Sequence, residues 1–145
     1  MLVEPLELQC AVPSFSRHNI LIVDDDESIS EPLKMRLESQ GFGAHVAPSG
    51  EAALDYARRH RPDCITLDLG LPDVDGFELC QQLVDDSDTC EIPVIVVSGM
   101  ERPDIIRRSR AAGCHFYVRK PYDPNALLTL IRRAIDESRG DEQGD

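Results

Sequence analysis

Five short apolar runs of strand length alternate along the chain with stretches of helical periodicity. The runs lie at residues 19–23, 44–47, 64–67, 92–97 and 115–118; the run at 44–47 is weak, and those at 19–23, 64–67 and 92–97 are rich in β-branched residues. A continuous apolar run of this length is typical of a parallel strand that is covered on both faces. The stretches between the runs repeat apolar residues every three or four positions, as Ile29, Leu33 and Leu37 do. This alternation predicts one α/β domain with a parallel, doubly wound sheet and right-handed crossovers.

Polar residues follow four of the five predicted strands. Asp24 and Asp25 come directly after the first strand, Asp68 after the third, Ser98 after the fourth and Lys120 after the fifth. The carboxyl ends of parallel strands lie at one edge of the sheet, where ligands bind in open α/β folds. A single strand-end aspartate is commonly only a loop cap, but four such ends together indicate a functional site.

The charges of these residues indicate a metal-assisted reaction at Asp68. Two carboxylates 4 Å apart repel by about 4 kcal/mol at an effective dielectric near 20. Lys120 offsets only part of the charge of Asp24, Asp25 and Asp68, so a hard divalent cation is expected. Mg²⁺ is favoured because it takes one or two carboxylates, several waters and a phosphate oxygen. Beside such an ion, Asp68 can act as a nucleophile toward a phosphoryl group, with catalysis by positioning and charge neutralisation.

Four separated motifs resemble those of a response-regulator receiver domain of two-component signalling systems. They lie in register at residues 20–26 (Ile-Leu-Ile-Val-Asp-Asp-Asp), 67–76 (Leu-Asp-Leu-Gly-Leu-Pro-Asp-Val-Asp-Gly), 96–99 (Val-Val-Ser-Gly) and 117–121 (Tyr-Val-Arg-Lys-Pro). The resemblance implies a flavodoxin-like fold, with a five-stranded parallel sheet in the order 2-1-3-4-5 and five helices. We expect an N-terminal extension over residues 1–17, a receiver domain over 18–137 and an acidic C-terminal tail over 138–145.

The resemblance also implies a role for each acidic residue of the site. Asp68 would be the phosphoacceptor, and Asp24 and Asp25 would bind Mg²⁺ together with Asp68 and the backbone carbonyl of Gly70. Many receivers carry a side chain at the position of Gly70, beside the phosphoryl group. Its absence here removes no reacting group.

The remaining roles concern signal output. Ser98 would turn toward the phosphoryl group, Lys120 would pair with it, and Tyr117 would reorient as an aromatic switch. The implied function is a phosphorylation-dependent switch, and not an enzyme beyond its own phosphorylation and dephosphorylation. A sensor histidine kinase or phosphotransfer protein would supply the phosphoryl group. A downstream protein would bind the face formed by helix four, strand five and helix five, with the chain a monomer or a phosphorylation-dependent dimer.

The charge distribution argues against direct nucleic-acid binding. The net charge is −12, aromatic residues make up 5% of the chain and tryptophan is absent. Residues 101–135 nevertheless contain eight Lys/Arg and three Asp/Glu, whereas the rest of the chain contains seven and 24. The basic stretch is either a protein-docking face or a solvated helix face.

Cysteine usage and the N-terminus bear on the compartment. The five cysteines form no C-x-x-C pair, which indicates reduced thiols. The alternative is a metal or redox cluster formed by Cys64, Cys90 and Cys114 with His115. The N-terminus lacks a basic segment followed by a long apolar core, and no run approaches the ~20 apolar residues of a membrane helix. We therefore expect a cytoplasmic protein that makes no contact with the membrane.

Three alternatives are considered, and the first two fit the same residues less well. A phosphorylation-independent interaction module would not need to retain all of Asp24, Asp25, Asp68, Ser98 and Lys120. A phosphatase with an aspartate nucleophile would need a second aspartate two residues after Asp68, where the chain has glycine. A third possibility is that the sequence is the receiver part of a longer regulator whose output domain is absent here.

Overall fold

The structure, a computed structural model, describes residues 17–100 and 103–143, with the backbone alone for residues 140–143. Strands and helices alternate through the whole of this part of the chain. In order they are β1 (Asn19–Val23), α1 (Glu27–Ser39), β2 (Gly43–Ala47), α2 (Gly50–His60), β3 (Cys64–Asp68), α3 (Gly76–Asp85), β4 (Val94–Ser98), α4 (Ile105–Ala111), β5 (Phe116–Arg119) and α5 (Pro124–Gln143).

The five strands form one parallel sheet in the order β2-β1-β3-β4-β5, which confirms the predicted fold class. In the register of the sheet, Val23 lies beside Leu67, Asp68 beside Val97, and Ser98 beside Arg119. The carboxyl ends of β1, β3, β4 and β5 are therefore at one level, so residues that follow these strands meet at one edge.

Helices cover both faces of the sheet, which explains why the strand sequences are continuously apolar. Leu21 and Val23 of β1 pack in the layer that contains α2, α3 and α4. Ile20 and Ile22 pack in the opposite layer, which contains α1 and α5. All four side chains are at most 2% exposed, so β1 contributes fully to both cores.

Side-chain caps begin three of the helices soon after the strands end. Asp26 accepts a hydrogen bond from Ser28 N–H (2.9 Å), and Asp75 accepts one from Phe77 N–H (2.9 Å). Ser49 caps α2 through Ala52 N–H. Each cap satisfies a backbone donor that the first helical turn leaves unpaired, a contribution of about 1 kcal/mol.

Two helix boundaries differ from those read off the sequence. α4 begins at Ile105, not at Arg102, because Pro103 and Asp104 form a turn before the helix; Arg102 itself is outside the described residues. α5 continues to Gln143, past the predicted end of the domain at residue 137. A single glycine at position 140 costs a helix about 1 kcal/mol but does not end it as proline would.

The predictions about the N-terminal extension, the cysteines and membrane helices can be compared with the described residues alone. The N-terminal extension lies outside the described residues except for Arg17, so it stays a prediction, as do the domain boundaries. In the described part of the chain, Cys64 and Cys80 are buried, Cys90 is exposed, and all four cysteines there are free thiols. No described helix is long and apolar enough to cross a bilayer.

Candidate functional site

Strands β1 and β3 bring Asp24 and Asp68 together. The N–H of Asp24 donates to the carbonyl of Ala47 (3.1 Å), which continues the hydrogen bonding of the sheet one residue past β1. Asp68 is the last residue of β3, the strand adjacent to β1. Asp24 is 5% exposed and Asp68 is partly buried. The backbone of the sheet thus fixes both carboxylates.

Asp25 completes an acidic cluster with these two residues. One carboxylate oxygen from each of Asp24, Asp25 and Asp68 lies within 4.8 Å of the others. It is the only such group of three acidic, histidine or cysteine side chains found among the described residues, so the cysteine cluster considered from the sequence is absent there. At this distance, each pair of carboxylates repels by about 3 kcal/mol at an effective dielectric near 20.

Lys120 lies between the carboxylates of Asp24 and Asp68. Its Nζ is 3.1 Å from Oδ2 of Asp24 and 3.5 Å from Oδ2 of Asp68. Its backbone N–H donates to the carbonyl of Ser98 (2.9 Å), which ties the end of β5 to the end of β4. The lysine side chain is 18% exposed. A largely desolvated ammonium held by two elements is positioned to pair with a third anion at the same edge.

The donor set fits a hard divalent cation. Three carboxylates and one ammonium leave a formal charge of −2, and all the offered ligand atoms are oxygens. Oδ1 of Asp24 accepts from Asp26 N–H (2.9 Å), which fixes the orientation of that carboxylate. Asp25 is exposed, so it can reach an ion from the solvent side. These residues therefore fit Mg²⁺.

The environment of Asp68 disfavours its charged form. Burial raises the pKa of Asp68, and the nearby Lys120 ammonium lowers it, with burial the larger effect. Oδ1 of Asp68 also accepts a long hydrogen bond from Gly70 N–H (3.3 Å). Because Lys120 offsets only part of the effect of burial, an additional positive charge nearby would favour the ionised form of Asp68.

Ser98 and Tyr117 lie on strands β4 and β5 of the same sheet, and their side chains have other partners than the acidic cluster. Ser98 is 1% exposed, and its Oγ accepts from Met100 N–H (3.0 Å). Tyr117, opposite Val96 in the sheet, is partly buried in the layer that contains α2, α3 and α4. The structure therefore places both residues on neighbouring strands, and among the described hydrogen bonds neither hydroxyl pairs with Asp68.

Asp73 is a residue of this region that was not predicted from the sequence. Its Oδ1 accepts from Gly50 N–H (2.9 Å) and its Oδ2 from Glu51 N–H (3.1 Å). These two hydrogen bonds lower the pKa of Asp73 and attach the β3–α3 loop to the first turn of α2. A side chain at Gly50 would clash with Val74, so a glycine there permits the close approach.

Gly70 borders an open cleft at the same edge. A Cβ atom at this position would have no other heavy atom within 4 Å. Phe77 and Met100 line the cleft, and Met100 is 37% exposed. No side chain at position 70 therefore covers this side of the site.

Comparison with known proteins points to one family. The family model of the response regulator receiver domain matches residues 20–132. The chain is 32% identical over 126 residues to response regulator MprA from Mycobacterium sp. (strain KMS), an alignment covering 87% of this chain and 54% of MprA. It is also 32% identical over 120 residues to the polar-differentiation response regulator DivK from Brucella anthropi, covering 83% of this chain and 98% of DivK.

A solved structure agrees with the sequence relatives. The response regulator receiver domain protein (CheY-like) from Methanospirillum hungatei JF-1 superposes with a TM-score of 0.82 at 29% identity. The superposition covers 87% of this chain and 99% of that one. The chain thus spans about half the length of MprA but nearly all of DivK and of the solved receiver.

Proposed function

The chain belongs to the response regulator receiver domain family, and we propose that it is a signalling switch that accepts a phosphoryl group on Asp68. Phosphorylation switching is the general function of this family, whose members interact with histidine kinases or phosphotransfer proteins and with downstream targets. One observation carries the assignment to Asp68: its carboxylate lies beside Asp24 and Asp25 and 3.5 Å from the Lys120 ammonium.

In the proposed reaction, a carboxylate oxygen of Asp68 attacks the phosphorus of the donor. The new bond joins that oxygen to phosphorus, while the bond from phosphorus to the donor's leaving atom breaks and its electron pair stays with the leaving group. Lys120 pairs with a phosphoryl oxygen, and the movement it needs is small because its Nζ already lies 3.5 Å from Asp68 Oδ2. Positioning and charge neutralisation account for catalysis in reactions of this type.

Receiver domains bind Mg²⁺ in an acidic pocket, and we assign Asp24, Asp25, Asp68 and the Gly70 carbonyl as its ligands here. When bound, the ion neutralises negative charge on the transferring phosphoryl oxygens. The chain's own acidic residues supply at least three oxygen ligands without rearrangement of the sheet, since their oxygens lie within 4.8 Å of one another.

Signal output follows from Ser98 and Tyr117. To bind a phosphoryl oxygen, the Ser98 hydroxyl has to turn from Met100 N–H, its present partner. That movement opens space beside Tyr117, whose ring then turns inward and alters the surface of α4, β5 and α5. A downstream protein reads this surface. The phosphoryl group comes from a sensor histidine kinase or a phosphotransfer protein in the cytoplasm.

Two arrangements of such a switch occur among the relatives. In MprA the matching stretch is about half of a longer protein, and in DivK it is nearly the whole protein. A regulator in which this sequence is the receiver part of a longer chain therefore remains a second proposal. Phosphorylation of Asp68 is common to both.

The proposal is tested by phosphorylation with a small phosphodonor such as acetyl phosphate. Intact-mass measurement should show one added phosphoryl group in the presence of Mg²⁺, and none when EDTA removes the metal. Asp68→Asn should take up no phosphoryl group, whereas Asp73→Asn, a matched change in the same loop, should remain competent. Normal labelling of Asp68→Asn would contradict the assignment.

A further inference from the structure

Two cysteines of the described chain lie in the same layer of the core. Cys80, on α3, is fully buried in the layer that contains α2, α3 and α4. Cys114, in the turn before β5, packs against the same apolar residues and is partly exposed. Cys64 lies in the opposite layer, and Cys90 is exposed. Among the described cysteines, only Cys80 and Cys114 therefore share a layer.

The turn that carries Cys114 closely approaches α3. A Cβ atom on Gly113 would lie 2.6 Å from Cγ2 of Val84, and Val84 is four residues after Cys80 on the same helix. Residues four apart are adjacent on one face of a helix, so Cys80 is one turn from this contact. Burial, and to a lesser extent the nearby Cys114 thiolate, raises the pKa of Cys80 to about 12. The effect of Cys114 requires the two sulfur atoms to be close.

Polar groups lie near the sulfur of Cys114. Burial raises the pKa of this thiol, while the Ser109 hydroxyl, the Arg110 guanidinium and the Val96 N–H each lower it. The Ser109 hydroxyl is buried but forms no hydrogen bond of normal geometry in the described part of the chain. An unpaired buried hydroxyl is destabilising. A thiolate or an oxidised sulfur at Cys114 would give this hydroxyl an acceptor.

We propose that Cys114 is a site of oxidation by hydroperoxides and that its oxidised sulfur forms a disulfide with Cys80. The inference goes beyond the proposed function, because it does not depend on phosphorylation of Asp68. In the first step, the Cys114 thiolate attacks one oxygen of hydrogen peroxide. A sulfur–oxygen bond forms, the oxygen–oxygen bond breaks and its electron pair leaves with hydroxide, so Cys114 becomes a sulfenic acid.

In the second step, the sulfur of Cys80 attacks the sulfur of this sulfenic acid. The sulfur–sulfur bond forms, the sulfur–oxygen bond breaks, and the leaving hydroxide takes the proton of the Cys80 thiol to form water. Overall, two thiols lose two hydrogens and the peroxide is reduced to water. Cys114 reacts first because it is partly exposed, whereas Cys80 is shielded from the oxidant. The raised pKa of each thiol keeps the thiolate fraction low, so the reaction needs sustained exposure to peroxide.

A metal site at the same two sulfur atoms fits less well. Structural Zn²⁺ sites take four ligands. Within the described residues, the only group of three acidic, histidine or cysteine side chains at ligand distance is that of Asp24, Asp25 and Asp68. A disulfide between Cys80 and Cys114 needs no further group.

The disulfide would tie the turn before β5 to α3 and close a loop that contains β4 and α4. Closing a long loop restricts the unfolded chain. The oxidised protein should therefore unfold at a higher urea concentration than the reduced protein, and dithiothreitol should reverse the shift. An unchanged or lower midpoint in protein with the bond in place would contradict the placement of the two sulfur atoms, since it would show that the bond strains the fold.

The test is peptide mapping of the full chain without reduction, after the reduced protein has been exposed to hydrogen peroxide. A protease that cuts after acidic residues places Cys64, Cys80, Cys90 and Cys114 in different peptides. The expected product is a linked pair that joins the Cys80 and Cys114 peptides within one molecule. Sulfinic acid at Cys114 without a link, or links that join Cys80 or Cys114 to another cysteine instead, would overturn the proposal.

Matched variants identify the sulfur atoms involved. Cys114→Ala and Cys80→Ala should each abolish the linked pair, and dimedone should label a sulfenic acid at Cys114 in Cys80→Ala. Cys90→Ala, which removes an exposed thiol, should leave the amount of the linked pair unchanged. Circular dichroism checks that each variant is folded. Loss of the linked pair in Cys90→Ala would contradict the order of the two steps.

Ser109→Ala tests the role of the unpaired hydroxyl. The variant should form the disulfide several-fold more slowly without losing stability, because the hydroxyl that it removes has no partner in the reduced protein. An unchanged rate would overturn this role of Ser109.

Asp68→Asn separates this inference from the proposed function. The variant should form the disulfide at the rate of the wild type. Disulfide formation in a wild type that takes up no phosphoryl group would contradict the proposed function alone. Normal phosphorylation of Asp68 in a protein that forms no bond between Cys80 and Cys114 would contradict this inference alone.

Discussion

Removal of the Lys120 charge should destabilise the fold in a way that a second substitution at Asp68 partly reverses. Lys120→Met keeps the alkyl chain but removes the ammonium that lies 3.1 Å from Asp24 Oδ2 and 3.5 Å from Asp68 Oδ2. The two carboxylate side chains are 6% and 14% exposed, so water cannot fully replace the lost partner.

The size of the effect lies between those of exposed and buried ion pairs. Each attraction is about 5 kcal/mol at an effective dielectric near 20, before the hydration of the separated ions is subtracted. Breaking a fully buried pair costs about 3–5 kcal/mol, and breaking an exposed pair costs about 1 kcal/mol or less. Because the site opens to water on one side, we expect Lys120→Met to lower the free energy of unfolding by about 2–3 kcal/mol.

Asp68→Asn removes one of the two unpaired carboxylates and should restore about 1–2 kcal/mol in the Lys120→Met background. In the wild-type background, the same change removes an attraction to Lys120 together with the repulsion from Asp24, so the gain should be smaller. The difference between the two backgrounds is the coupling energy. Urea unfolding in EDTA at low salt measures it.

Magnesium and a second lysine provide the controls. A ligand at 100 times its dissociation constant adds about 2.7 kcal/mol to the stability of the form that binds it, so Mg²⁺ should stabilise Lys120→Met and not the variant with Asp24→Asn and Asp68→Asn. Lys34 is the only other lysine of the chain, and Lys34→Met should cost much less. Equal losses for the two lysine variants, or zero coupling with Asp68→Asn, would refute the reasoning.

Three further predictions concern other parts of the molecule. Gly76→Ala should lower the free energy of unfolding by about 1–3 kcal/mol, since a Cβ there would lie 2.5 Å from Leu69 Cα. Gly70→Ala should cost little, because a Cβ at that position would have no other heavy atom within 4 Å. Equal losses of the two variants in urea unfolding would contradict this prediction. Burial lowers the pKa of His45 from its ordinary value of 6.5, so the folded protein favours the neutral ring. The stability of the fold is therefore unaffected by His45 above the pKa of the unfolded chain, and it decreases as the pH falls below that pKa. The free energy of unfolding should therefore decrease more between pH 7 and pH 5 in the wild type than in His45→Gln, and parallel pH profiles would exclude this role. Gly70 leaves space for a hydrolytic water beside the phosphoryl group but offers no group to orient it. Since orientation of the water contributes more than its access, phosphate release from Asp68 should be slow to intermediate in the wild type and no slower in Gly70→Asn. A wild type that hydrolyses much faster than Gly70→Asn would show that access dominates.

The strand ends could be predicted from the sequence because their position depends on short-range patterns. The apolar run of β3 ends at Asp68 and that of β1 ends before Asp24, and parallel pairing then brings the two together. Lys120 follows in the same way from β5. The role assigned to Tyr117, in contrast, came from the family resemblance, since its position alone is that of a partly buried strand residue.

The contacts that could not be predicted join residues far apart in sequence. The hydrogen bonds from Gly50 and Glu51 to Asp73 span 22 or 23 residues, and no local pattern indicates that Asp73 makes these contacts. The sequence predicts too early a start for α4 because proline is common in a first helical turn, whereas Pro103 here precedes the helix by two residues.

The central claim, that Asp68 is the residue phosphorylated, is tested most directly by chemical trapping. Borohydride reduces an aspartyl phosphate to homoserine but leaves an unmodified aspartate unchanged. After treatment with acetyl phosphate and Mg²⁺, tandem mass spectrometry of the reduced and digested protein should find homoserine at position 68, with aspartate at positions 24, 25 and 73. Homoserine at one of those three positions, or aspartate alone at position 68 in protein whose intact mass shows the phosphoryl group, would contradict the account.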